Sequence, residues 1–231
     1  MTLGRQMILT AVLLMLVVYL FGVTDIDLWV QDLLYDTQAH QWILDRNLQP
    51  YRWIFYDGIK VVLILFALLM LLALLFGRKT ALVQKYRSGM LIVILSALIV
   101  PTTASSLKKV TNMPCPKHSI RYGGSYPHTA VWERYPKTFG TLSHTQCWPA
   151  GHASGGFALL SLFFLFKGRR NRRRALYFAL GMGWLMGGYK MLIGDHYLSH
   201  TLITMLLSWL LILLIAKGIK TLSPEDRSAL L

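Results

Sequence analysis

Acidic residues are scarce in this chain. Its 231 residues include ten Asp and Glu against 24 Lys and Arg, a formal net charge of +14. So few acids, beside 55% hydrophobic residues and a mean hydropathy of +0.47, argue against a soluble domain. Cysteine is nearly missing too: Cys115 and Cys147 are the only two, which leaves room for a single bridge. No internal repeat is present, so the chain reads as one domain, 1–231. Nor does an A-x-A-like site follow the first apolar run; Arg5 and the long core after it read as a retained helix rather than a cleaved signal peptide.

What the chain has in abundance is apolar sequence in uninterrupted blocks. Blocks near 20 residues are long enough to cross a hydrocarbon layer of about 30 Å. They fall at roughly 7–23, 54–76, 89–107, 150–166, 175–193 and 198–216. The expected fold is therefore all-α: a polytopic membrane protein of about six transmembrane helices in one bundle. The fourth block is short, and the fifth is broken by glycines and carries Lys190.

Basic residues concentrate in two connections, 77–88 and 167–174, with Arg5, Lys217 and Lys220 on the same side. A polybasic run can bind nucleic acid, but here it is better read as a topology determinant beside anionic lipid. The positive-inside rule then predicts both termini in the cytoplasm of a bacterial inner membrane, with segments 24–52 and 108–148 on the periplasmic face. Segment 24–52 carries five aspartates and reads as an interfacial helix plus a turn at Pro50. All seven histidines fall on the outer side or at outer helix ends, so chemistry needing imidazole belongs to that face. His118, His128 and His144 read as solvated loop residues.

Three stretches at that face draw attention: "KKVTNMPCPK" (Lys108–Lys117), "PAGH" (Pro149–His152) and "YKMLIGDHYLSH" (Tyr189–His200). If a helix bundle brings them together, Lys108 or Lys109, Lys190, His152, His196 and His200 share one pocket, with Asp195 as almost the only acid. Clustered cations repel one another, and a bound phosphate relieves that repulsion. The start of the fourth span adds the amides of Gly151 and His152 and the positive end of a helix dipole.

These stretches resemble the signatures of the phosphatidic acid phosphatase type 2 family, membrane phosphatases that share their site with vanadium haloperoxidases. The family shows a Lys, six residues, then Arg-Pro. Here Lys108 leads to Cys115-Pro116, and Arg121 or Lys117 is the candidate to replace the missing arginine. Its Pro-Ser-Gly-His appears with Ala150 in place of Ser. Its Ser-Arg, five residues, His, three residues, Asp appears as Tyr189-Lys190, His196 and His200. The resemblance covers about residues 89–216.

By that resemblance His196 is the nucleophile that forms a phosphohistidine, and His152 is the general acid and base. Lys108, Lys190 and the Gly151 amide hold phosphate oxygens, and His200 stands where an aspartate would orient the nucleophile. No metal and no cofactor is implied. The implied function is a lipid phosphate or pyrophosphate phosphatase, with membrane lipids as its surroundings and no nucleic-acid partner. Its substrate could be a polyprenyl pyrophosphate, a phosphatidylglycerol phosphate, a diacyl phosphate or a phosphorylated glucosamine lipid. A phosphotransferase using the same phosphoenzyme is the alternative, as is a non-catalytic transporter or assembly protein. Cys115 and Cys147 read as a disulfide across an oxidising space, against two separate small apolar residues. Gly155, Gly183 and Gly187 read as helix-packing positions.

Overall fold

The computed structural model describes residues 2–47, 49–139 and 142–222. Helix α1 (Leu3–Val23) starts at Thr2, whose hydroxyl accepts from the Arg5 N–H. The short α2 (Ile26–Asp32) leads into a two-stranded hairpin, β1 (Tyr35–Asp36) against β2 (Gln41–Trp42). Then come α3 (Gln49–Arg52), a π-helical turn (Trp53–Asp57) and α4 (Gly58–Phe76). α5 (Ala81–Val110) is capped by Thr80. After a long irregular segment the chain returns as α6 (Gly151–Ala158), a 3-10 turn (Leu159–Ser161) and α7 (Leu162–Leu165). It ends in α8 (Arg169–Leu192) and α9 (Leu198–Leu222).

The all-helical architecture agrees with the sequence reading. Among the described residues, four helices are long and apolar enough to cross a membrane: Leu3–Val23, Trp53–Phe76, Ala81–Val110 and Leu198–Thr221. The fourth expected span is the shorter apolar stretch Gly151–Leu165. The fifth, α8, is long enough but begins in the polybasic run and ends at Lys190. Both basic connections are mostly helix, since α5 starts at Ala81 and α8 at Arg169. Ala, Leu, Gln, Lys and Arg favour helix, and a hydropathy window sees only the apolar part. Pro50 lies inside α3 rather than in a turn; its fixed φ suits a first helical turn.

The core is built by α5, α6, α8 and α9, with Ile92, Phe157, Ala179, Ile212 and Leu213 all buried. Lipid tails are as apolar as leucine, so helices here associate by close packing rather than by escape from water. Gly156 allows a close approach: a Cβ there would lie 2.7 Å from Gly183 Cα. Gly183 in turn faces the Phe157 ring, and Gly187 faces Thr201. Gly155 differs from the expectation. A Cβ on it would meet only Leu63, at 3.7 Å. Gly156, which the sequence reading passed over, is the residue that lets α6 reach α8.

The aspartate-rich segment caps one end of the bundle. Asp27 accepts hydrogen bonds from the backbone N–H and the hydroxyl of Ser199 in the first turn of α9, and Gln31 Nε2 donates to the Met191 carbonyl at 3.0 Å. Burial lifts the Asp27 carboxyl to about 6, against the lowering effect of the Ser199 bonds. Tyr35, Trp42, Tyr122 and Tyr197 form a small aromatic core beneath this cap.

Candidate active site

α8 ends in a turn that its sequence dictates. Gly194 has φ +70, the left-handed conformation that glycine adopts without a Cβ penalty. The Gly194 N–H donates to the Met191 carbonyl at 3.0 Å and the Asp195 N–H to the Lys190 carbonyl at 2.8 Å. These two bonds make a Schellman motif, with Gly194 at its left-handed position. The motif sets Lys190 beside Asp195, and Lys190 Nζ lies 2.9 Å from Asp195 Oδ2. It also frees residues 193–197 from the helix, so His196 enters the interior from a non-helical segment.

Asp195 is the hub of this turn. Its Oδ1 takes Lys117 Nζ at 2.7 Å and Arg46 Nη2 at 3.4 Å. Burial alone would raise its carboxyl, but Lys190 and Lys117 outweigh burial and hold it below the usual carboxylate range. The turn is pinned further by Lys117 N–H to the Gly194 carbonyl at 3.0 Å and Leu44 N–H to the Leu192 carbonyl at 3.3 Å.

The other two stretches meet this one through loop pairing. The Asn112 side chain accepts from the Thr145 N–H at 2.8 Å, and the Thr111 hydroxyl donates to the Trp148 carbonyl at 2.6 Å. Cys115 and Cys147 are joined in a disulfide with Cα atoms 5.2 Å apart. The Ala150 N–H donates to the Thr204 hydroxyl at 2.8 Å, fixing the start of α6 on α9. Lys108, at the end of α5, packs on that start: a Cβ on Gly151 would lie 3.3 Å from Lys108 Nζ.

The histidines face one another at the centre. The rings of His152 and His196 have centroids 5.8 Å apart, and His196 Nδ1 lies 3.4 Å from His200 Nδ1. His196 and His200 are almost fully buried. The outer nitrogen of His196, Nε2, has no hydrogen-bond partner among the described residues. Burial, with Lys108, His200, His152 and Lys190 adding to it, holds the His196 imidazole well below its ordinary pKa and so keeps it neutral.

Of the site residues expected from sequence, the structure thus brings together His152, His196, His200, Lys108, Lys190 and Gly151. Arg121 is not brought to the cluster. Its guanidinium is committed to Asp32 on α2, with Nε to Oδ1 at 2.8 Å and Nη2 to Oδ2 at 2.6 Å. Lys117, the other candidate, is tied to Asp195. His128 and His144 are exposed, whereas His118 is half-buried near the disulfide. Sequence reasoning gave Asp195 only as the pocket's acid and missed it as a hub; Gly194, just before it, is the signal that ends the helix there.

A cavity of about 650 Å³ opens beside the cluster, between α4, α5 and α6. Leu63, Ala67, Ile94 and Leu98 are among its apolar lining, and Lys60, Ser105, Lys108, His152 and Ser161 are its polar side chains.

The PAP2 superfamily model matches residues 89–223, more than half of the chain and all of the clustered residues. The chain belongs to the PAP2 superfamily. No curated protein and no solved structure matches it. Membership makes this PAP2 protein a phosphatase-type enzyme, with a phosphate ester as its general substrate class, and its apolar helices are compatible with a multi-pass membrane protein.

Proposed function

We propose that this PAP2 protein hydrolyses the phosphate of a membrane lipid through a phosphohistidine on His196. The observation that carries the reading is the cavity: apolar walls along three helices, with Lys108, Gly151 and His152 along the same lining. An amphiphile fits such a space, its tail along α4 and α5 and its phosphate beside the imidazoles.

In the first step the lone pair of neutral His196 Nε2 attacks phosphorus as the ester P–O bond breaks, and His152 gives a proton to the departing oxygen. In the second, His152 takes a proton from water, the water oxygen bonds to phosphorus, and the P–N bond breaks to release phosphate. Lys108, Lys190 and the amides at the start of α6 hold the equatorial oxygens as charge moves onto them. The basic residues at the opposite helix ends support a cytoplasmic location for both termini, which puts this chemistry on the periplasmic side of the inner membrane.

The test is phosphate release from diacyl and polyprenyl phosphates in detergent by wild type, His152→Ala and His196→Ala. Both variants are expected to lose at least a hundredfold in kcat. Acid-quenched wild type should carry phosphate that His196→Ala lacks. Hydrolysis surviving both substitutions overturns the assignment.

A further inference from the structure

Asp195 draws cations from three separate stretches of the chain. Lys190 Nζ meets its Oδ2 at 2.9 Å, while Lys117 Nζ at 2.7 Å and Arg46 Nη2 at 3.4 Å share its Oδ1. The three contacts differ in burial. The side chains of Lys190 and Asp195 are 10% and 9% exposed, against 23% for Lys117 and 51% for Arg46. An exposed pair contributes little, whereas breaking a buried pair strands a charge. Lys190 is the partner that depends on Asp195 most.

The same turn holds the nucleophile. The Lys190 carbonyl accepts from the Asp195 N–H at 2.8 Å and from the His196 N–H at 3.2 Å. Lys190 thus meets Asp195 through its ammonium and His196 through its backbone. An ammonium on a flexible four-carbon stem has no fixed direction of its own. Lys190 is also buried, and a buried cation needs a counter-charge to stay where it is. Asp195 supplies both the charge and the direction. Lys117 and Arg46, on the other oxygen, keep the group positive as a whole, so the carboxylate does not cancel the attraction for an anion.

We propose that Asp195 is a positioning residue, which keeps Lys190 charged and in place for a phosphate at His196. The inference rests on the reading of Lys190 as a residue that holds phosphate oxygens. Two effects of the carboxylate oppose each other here: its charge repels an incoming phosphate, and its hold on Lys190 keeps a donor ready. The hold wins, because Lys117 and Arg46 already offset the charge.

The test is equilibrium binding of inorganic phosphate to full-length His196→Ala in detergent, where placement of the nucleophile no longer counts. Asp195→Asn keeps the shape and an acceptor oxygen but removes the charge. Added to His196→Ala, it should weaken phosphate binding about tenfold, as for loss of one hydrogen bond to a charged group. Added to His196→Ala with Lys190→Met, it should change nothing, because the side chain it positions is gone. Unchanged or tighter binding in the first comparison overturns the proposal, since the carboxylate then only balances charge. An equal loss in both comparisons also overturns it, and marks Asp195 as a brace of the turn. If the Asn variant does not fold, Asp195→Glu takes its place in the same comparison. A change in affinity that vanishes with Lys190→Met upholds the proposal, and one that persists, or no change, refutes it. Phosphate release from a diacyl phosphate by wild type is read separately: its absence sinks the phosphatase reading, while phosphate binding still decides Asp195. No phosphate binding to His196→Ala at all overturns the proposal together with the anion site.

Discussion

His200 presents its Nδ1 to the Nδ1 of His196 at 3.4 Å, while the opposite nitrogen of His196 has no hydrogen-bond partner among the described residues. If His196 donates through Nδ1 and His200 accepts, the Nε2 lone pair is left for phosphorus. A neutral imidazole in this place orients the nucleophile without giving it negative charge. His200→Ala should then lose about tenfold to a hundredfold in kcat with little change in KM. His200→Asp, which restores an acceptor and adds charge, should match or exceed wild type. Equal loss in both variants would show that the ring is needed only to fill space.

The buried His196 gives the reaction its pH dependence. Its pKa lies below the ordinary histidine value of about 6.5, so protonation removes the nucleophile only at more acidic pH. The acid limb of kcat/KM, with the ionisation of the substrate divided out, should fall below that range. A limb centred at or above pH 6.5 would contradict a desolvated nucleophile.

Gly151 is predicted to matter through Lys108. An added methyl would stand 3.1 Å from Lys108 Cε and displace a flexible side chain rather than backbone. Gly151→Ala should keep the melting temperature within a few degrees but lower kcat/KM about tenfold, since a donor to the phosphate moves. Unchanged kinetics would separate Lys108 from the phosphate.

Gly194 carries two demands at once. A side chain there would occupy the left-handed region, costing about 1–2 kcal/mol, and would overlap the Trp42 indole. Gly194→Ala should destabilise by about 2 kcal/mol or more in denaturant titration. Trp42→Ala in the same chain should recover the steric share of that loss, leaving the backbone share.

Asp27 should make stability fall as pH rises from about 4 to about 6. Its folded pKa of about 6 lies above the unfolded value of 3.8, so the folded chain binds the extra proton and loses that advantage as the proton leaves. The slope is about 1.4 kcal/mol per pH unit at most. Asp27→Asn keeps an acceptor for the Ser199 N–H, and it should flatten this slope in thermal denaturation read between pH 4 and pH 7.

Much of this protein was written in one dimension. Apolar runs the length of a bilayer can only become helices, because backbone groups in lipid have to be satisfied within the segment. The spacing of Lys108, of Pro149 to His152, and of Lys190, His196 and His200 could likewise be read directly. Tertiary structure decided the partners of the charges. Arg121 went to Asp32, because its loop folds onto the aspartate-rich cap, and Lys117 went to Asp195 in the turn after α8; no local period encodes either pairing. It also decided that Lys60, a lone cation in an apolar helix, lines one cavity with Lys108 and His152. Helix periodicity sets which residues share a face, whereas packing between distant helices sets which faces meet.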